Sequence, residues 1–226
     1  MIHYPITIID NFFNDPDYIV SISKNITWYR DSEYRWPGER SKPISELDPE
    51  FHKYLLLKYF LLFYSSYDLH YKFMAKGVSY FQRIPEGLDI GWIHSDYPTI
   101  HTIIIYLTPN ADPASGTAFF NPRTGYVDDS LQYEKTLYYK GELDKEVARK
   151  SSEKHKSQFI QTASCGNIYN RCVGFDGQLW HEAINLNTVQ QERLTLITFI
   201  EELVISGSPL SNSRSLPFIR PMQSGN

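Results

Sequence analysis

The chain has 226 residues, 42% of them hydrophobic and 21% charged, which suits one large or two small folded domains and excludes a wholly disordered chain. With 22 basic and 26 acidic residues the net charge is −4, which argues against a protein that neutralises a phosphate backbone. Aromatic residues make up 15% of the chain, a density that fits a β-rich fold around a wide pocket.

The opening run Ile6-Thr7-Ile8-Ile9-Asp10 reads as a short strand. Asn14-Asp15-Pro16 then offers a cap followed by proline in the first turn, so a helix is expected over 15–26. Residues 29–43 are polar, aromatic and broken by proline, and read as a structured loop. Asp48-Pro49 repeats the helix-start signal, and 49–66 reads as a helix apolar on most faces that buries itself against a sheet. From Tyr71 onward, β-branched and aromatic runs separated by turn residues mark strands at 72–84, 89–95, 99–107, 116–121, 157–163, 167–175, 180–185 and 192–204. So many short strands suggest a sandwich or barrel. The charged stretch 140–156 interrupts them and is most simply a solvent-facing helical excursion. The expected organisation is one domain over 1–205, with helical support at about 11–70 and a β core at about 71–205. Residues 206–226, rich in Ser and Pro, read as a loosely ordered tail.

The longest apolar run, 54–64, is eleven residues with Lys58 inside it, well short of the roughly 20 that a bilayer requires. No basic segment leading into an apolar one opens the chain. Cys165 and Cys172 cannot build a disulfide framework and read as reduced strand residues. A soluble, cytoplasmic protein is expected. The chain carries no glycine-rich phosphate loop, no G-x-S-x-G elbow and no CxxC pair, and Asn185 stands where a zincin would need its second histidine.

In Gly91-Trp92-Ile93-His94-Ser95-Asp96, strand alternation projects His94 and Asp96 to one side, about 6–7 Å apart. Asp176-Gly177 is a turn dipeptide, so His181 is expected to open a strand after a hairpin. Two histidines and one carboxylate form a facial triad for non-haem Fe(II), leaving coordination positions open. Arg193 and Thr195 share one face of the last strand, the face His181 shares if the two strands pair. A guanidinium fork suits the far carboxylate of a dicarboxylate, and the threonine hydroxyl adds a hydrogen bond.

His94-Ser95-Asp96, the strand 102–107, Ser115-Gly116-Thr117-Ala118-Phe119-Phe120, Val173-Gly174-Phe175-Asp176-Gly177, His181 and Arg193 together resemble the 2-oxoglutarate/Fe(II)-dependent dioxygenases, in particular the prolyl-4-hydroxylase-like branch. The resemblance covers about 72–204. It implies a double-stranded β-helix, or jelly roll, mainly β with supporting N-terminal helices. It also implies that His94, Asp96 and His181 hold Fe(II), that 2-oxoglutarate chelates the metal and meets Arg193, and that O2 takes the last position. The implied products are succinate, CO2 and a substrate hydroxylated at a C–H bond. Halogenases of the family lack the carboxylate ligand, so Asp96 points away from halogenation. Collagen-type prolyl hydroxylases carry lysine where Arg193 stands, so the prolyl substrate does not transfer with the branch.

Tyr106 alternates with Ile104 and Thr102, placing its phenol within reach of a cosubstrate carboxylate. Gln82 is a candidate for the mouth of the site. His101 reads as a strand histidine, and Trp92 and Trp180 as packing beside the ligand positions. Arg40 reads most simply as a surface ion pair; if loop 29–43 covers the pocket, it instead meets an acidic substrate group. A small-molecule or peptidyl substrate is expected, recognised by loops 29–43, 109–115 and 121–156. Nucleic acid is disfavoured and no membrane association is expected, while oligomeric state is not readable. The competing reading is a cupin-type metal-binding jelly roll without 2-oxoglutarate chemistry, which needs no Arg193.

Overall fold

A computed structural model describes residues 4–33, 35–63, 74–186 and 192–204. Two antiparallel sheets form the mainly β jelly roll that the sequence leads one to expect. The larger contains β1 (Thr7–Ile9), β2 (Glu39–Arg40), β3 (Met74–Ile84), β4 (His101–Tyr106), β7 (Cys172–Asp176) and β9 (Arg193–Val204), in the order β1-β7-β4-β9-β3-β2. The smaller contains β5 (Gly116–Pro122), β6 (Phe159–Gly166) and β8 (Trp180–Ala183), in the order β6-β5-β8.

Two helices begin where the sequence places them. In α1 (Pro16–Ser23) the Asp15 carboxylate accepts from the Tyr18 amide, and in α3 (Pro49–Phe60) Asp48 accepts from Phe51. Each cap satisfies an amide with no helical partner, a contribution of about 1 kcal/mol. A one-turn helix, α2 (Ile44–Leu47), precedes α3. Leu55, Leu56, Tyr59 and Phe60 of α3 pack on Ile103, Ile105, Leu196 and Ile200, the outer face of the larger sheet. Residues of opposite parity, Ile104, Tyr106, Val173, Phe175 and Ile197, fill the space between the sheets with Phe119. The helices thus fix which parity faces inward, because a one-residue slip would exchange the two faces.

Four expectations need correction. Residues 89–95 form no strand beyond a single bridge at His94, although Ile90, Trp92 and Ile93 are buried. The backbone there is engaged by a helix instead: Ser152 donates to the Gly91 carbonyl at 2.9 Å and His155 Nε2 to that of Ile93 at 2.9 Å. Both donors lie on α5 (Lys145–Lys156), which follows α4 (Gln132–Lys140). The charged stretch 140–156 is therefore not simply solvent-facing, because Ala148, Ser152 and His155 make one buried stripe.

Residues 167–171 form a turn, held by Asn170 at φ 63° with its side chain clasping the backbone of Phe13. Asp176-Gly177 joins no hairpin, since β7 and β8 belong to different sheets and the chain crosses between them there. Loop 29–43 contributes β2, which pairs Arg40 with Gln82 and Glu39 with Arg83. Gly38, at φ 76°, permits that pairing, since a Cβ there would collide with the Arg83 carbonyl. The expected helix end at 64–66, the first residues of strand 72–84 and the tail 206–226 lie outside the described residues.

His101 is fully buried, its Nε2 paired with the Tyr59 hydroxyl at 2.6 Å, and burial pushes its pKa down to about 3. An unfolded histidine titrates near 6.5. Below that pH the unfolded chain binds a proton that the folded chain refuses, so stability falls with acidification. His101 alone should remove about 2 kcal/mol between pH 7 and pH 5. Urea unfolding at the two pH values reads this loss, and His101→Gln should shrink it.

Candidate metal and cosubstrate site

His94 and His181 exchange both backbone hydrogen bonds, at 2.9 and 2.8 Å, and their rings lie 4.4 Å apart. Each imidazole is fixed by its own chain two residues upstream: His94 Nδ1 donates to the Trp92 carbonyl at 2.9 Å and His181 Nδ1 to that of Leu179 at 2.8 Å. With Nδ1 carrying the proton, the Nε2 lone pair of both rings is free, the tautomer a metal needs. Asp96 completes the group, 3.7 Å from His94 Nε2 and 3.4 Å from His181 Nε2. One donor atom from each of the three lies within 4.8 Å of the others, so the cluster can hold one metal ion.

Asp96 lies just past the bridge, not on a regular strand. Its amide donates to the Gly177 carbonyl, and the Thr102 hydroxyl donates to its Oδ2 at 2.7 Å. Burial raises the Asp96 pKa, but His181, His94 and Thr102 outweigh it and hold the carboxyl below its ordinary value. Burial, with His181 alongside, lowers that of His94. At neutral pH the cluster therefore offers a neutral His94 and an Asp96 carboxylate, and with the free Nε2 of His181 these make a donor set that suits Fe(II).

A cavity of about 90 Å³ leads inward from these ligands and is lined by Gln82, Thr102, Thr117, Arg193 and Thr195 among others. Arg193 is 3% exposed, and among the described residues no carboxylate pairs with it. One terminal nitrogen donates to the Gly116 carbonyl at 3.3 Å, while Nε and the other have no partner. Glu192, a conceivable surface partner, pairs with Arg83 instead. Unpartnered buried donors are costly, and an anionic group in the cavity would satisfy them. A dicarboxylate held at one end by the triad and at the other by Arg193 therefore fits the residues present.

Thr195 also lines the cavity, its hydroxyl donating weakly to the Gln82 carbonyl at 3.4 Å. Tyr106 is fully buried beneath Arg193, with the guanidinium 5.4 Å from its ring centre and its hydroxyl bonded to Thr117 Oγ1 at 2.7 Å. Thr117, not Tyr106, is the cavity wall. His181 and Arg193 reach this space from strands that do not pair, because β8 joins β5 whereas β9 joins β3 and β4.

Beside His94 and Asp96 a wider pocket of about 680 Å³ opens, with Trp36, Arg40, Tyr80, Lys135, Trp180 and Phe199 on its walls. Arg40 is no surface ion pair: Nε donates to Gln82 at 2.7 Å and the guanidinium lies 4.1 Å from the Trp36 ring centre. Burial pushes its pKa down to about 10, leaving it a cation at neutral pH. Trp92 is core packing against Ile90 and Ala148. Trp180 packs on Phe159 and also faces the pocket. The sequence reading assigned no role at the site to Thr102, Thr117, Trp36 or Lys135. Strand parity with Asp96 and Arg193 could have found the two threonines, whereas nothing local marks Lys135.

The DUF6445 family, described as a family of unknown function, matches residues 2–200. The chain belongs to this family. No curated protein matches the sequence. Several solved structures share the fold of this DUF6445 protein. HygX from Streptomyces hygroscopicus, with nickel and 2-oxoglutarate bound, is 11% identical with a TM-score of 0.51, over 86% of this chain and 82% of its own. EvdO2 from Micromonospora carbonacea var. aurantiaca, complexed with 2-oxoglutarate, is 11% identical at 0.51, over 90% and 89%. The non-heme alpha ketoglutarate dependent carbocyclase SnoK from nogalamycin biosynthesis is 10% identical at 0.51, over 97% and 89%. Likeness at these identities establishes the common fold.

Equilibrium dialysis against Ni(II) should load about one ion per chain on this triad. His181→Ala should weaken uptake at least about 100-fold, and Thr102→Val, which frees Asp96 to swing, about 10-fold.

Proposed function

We propose that this DUF6445 protein is a non-haem Fe(II)- and 2-oxoglutarate-dependent dioxygenase that hydroxylates a C–H bond of an amino-acid, peptidyl or small-metabolite substrate, with O2 as oxidant and succinate and CO2 as coproducts. The working unit is a jelly-roll domain over 1–205. The observation that carries the reading is Arg193: a buried guanidinium with two unpartnered N–H groups, lining the same cavity as the triad. A metal-binding jelly roll of cupin type has no use for such a residue.

His94, Asp96 and His181 hold the metal, and the Trp92 and Leu179 carbonyls keep both imidazoles in the ligating tautomer. Fe(II) bound there supplies the activation of O2 that couples 2-oxoglutarate decarboxylation to C–H oxidation. Arg193 takes the distal carboxylate of 2-oxoglutarate, and Thr195 adds a hydroxyl beside it. Tyr106 acts through Thr117, whose hydroxyl it fixes at the cavity wall. Ile84, Ile104 and Ile197 line the same cavity and exclude water around the cosubstrate. Halogenases of the resembled family lack the carboxylate that Asp96 supplies, which disfavours halogenation, and hydroxylation is the reaction proposed. The prolyl-4-hydroxylase-like branch rests on the sequence motifs alone. The substrate is a small molecule or a peptidyl side chain, not nucleic acid.

Anaerobic addition of Fe(II) and 2-oxoglutarate should give wild type a weak visible charge-transfer band. His94→Ala should abolish it. Arg193→Ala should raise the 2-oxoglutarate needed for half-saturation by roughly 10- to 100-fold, the loss of a charge-assisted pair, with Arg193→Lys in between. A wild type that binds metal tightly but develops no band would instead be a cupin-type metal protein.

A further inference from the structure

We infer that the outer pocket seats a substrate carboxylate between Arg40 and Lys135, so that the substrate is a small organic acid. The inference rests on the oxygenase reading and adds the substrate class. The two cations come from opposite ends of the chain's organisation, Arg40 from edge strand β2 and Lys135 from α4 of the insertion, yet both line the pocket that opens on His94 and Asp96. Each interacts electrostatically with Asp96.

Neither has an ion-pair partner among the described residues, whereas neighbouring cations do: Arg35 holds Asp31 at 2.9 Å and Arg83 holds Glu39 at 2.6 Å. Arg40 bonds only the neutral Gln82 through Nε, and Lys135 only Gln132 at 3.3 Å. Burial lowers the pKa of both, to about 10 and about 8, so each is held as a cation at a cost that an incoming anion would offset.

Trp36 at 4.1 Å, Phe199 at 5.2 Å and Tyr80 at 5.6 Å hold the Arg40 guanidinium against aromatic rings, which leaves little freedom to lose on binding. Asp129, which also interacts electrostatically with Lys135, and Glu201 stand exposed on the same pocket's walls and limit the net positive charge that an anion meets there. That pair of acids favours a single carboxylate over a phosphate dianion or a nucleic-acid strand.

The test uses full-length protein loaded with Ni(II) and saturating 2-oxoglutarate, and calorimetric titration of matched probes. These are 3-phenylpropionate, indole-3-acetate and hexanoate, each against its amide, with phenyl phosphate as a further arm. At least one acid should bind about tenfold or more tightly than its amide, the effect of one charge-assisted pair. The preference should drop below about twofold in Arg40→Met/Lys135→Met, and partly in Lys135→Met alone, a lesser change to the fold.

Equal binding of acids and amides, no binding of any acid, or a preference that survives both variants would overturn the inference. Tighter binding of phenyl phosphate than of every acid would overturn the carboxylate assignment. A wild type that takes up no 2-oxoglutarate overturns the oxygenase reading itself, whereas a loaded wild type blind to acid against amide overturns only the anion seat.

Discussion

Two backbone hydrogen bonds between His94 and His181 bring together segments 87 positions apart and set their imidazoles side by side. Everything else at the site is arranged around that pair. The bridge extends the smaller sheet by one residue only, because the chain turns away immediately afterwards to deliver Asp96. Had the pairing continued, Ser95 and Asp96 would lie in a ladder, and the carboxylate could not swing over both rings. Short pairing is therefore what converts a sheet edge into a three-ligand face.

The second constraint is electrostatic. A guanidinium buried between sheets, with no counter-ion among the described residues, is held there by the Gly116 carbonyl, the Tyr106 ring and the rest of the fold. That arrangement stores unsatisfied hydrogen-bonding capacity at one end of a narrow cavity and metal-binding capacity at the other. The two ends are held by opposite sheets, so their separation is set by the packing of Phe119, Phe175 and Ile197 between them.

Much of this was legible from the chain. The shared parity of Arg193 and Thr195 follows from side-chain alternation, whereas His94 and Asp96 come together without the strand expected to carry them, and His181 joined them in the sequence through the family resemblance. Strand spacing pointed to a sandwich or barrel, and the family resemblance narrowed that to a jelly roll. What escaped was set by non-local choices. Asp176-Gly177 has the same local chemistry in a hairpin as at a crossing between sheets, and only β7 pairing with β4 decides between them. Residues 89–95 carry a strand's composition, but α5 takes their carbonyls. The buried stripe of α5 was hidden because Ala148, Ser152 and His155 are small or polar amid charges. Arg40 was misread because its neighbour Gln82 is 42 residues away, a pairing that no local pattern announces.

The way α5 is fastened has a consequence for how such a protein diversifies. Its two buried donors grip main-chain carbonyls of residues 91 and 93, groups that every amino acid carries. The anchorage is thus largely indifferent to side-chain identity on the segment it grips. Residues of α4 and the preceding loop can then drift, and with them the wall that includes Lys135, while the framework carrying His94, Asp96 and His181 stays untouched. Recognition and reactivity are in this sense separately inheritable parts of one chain.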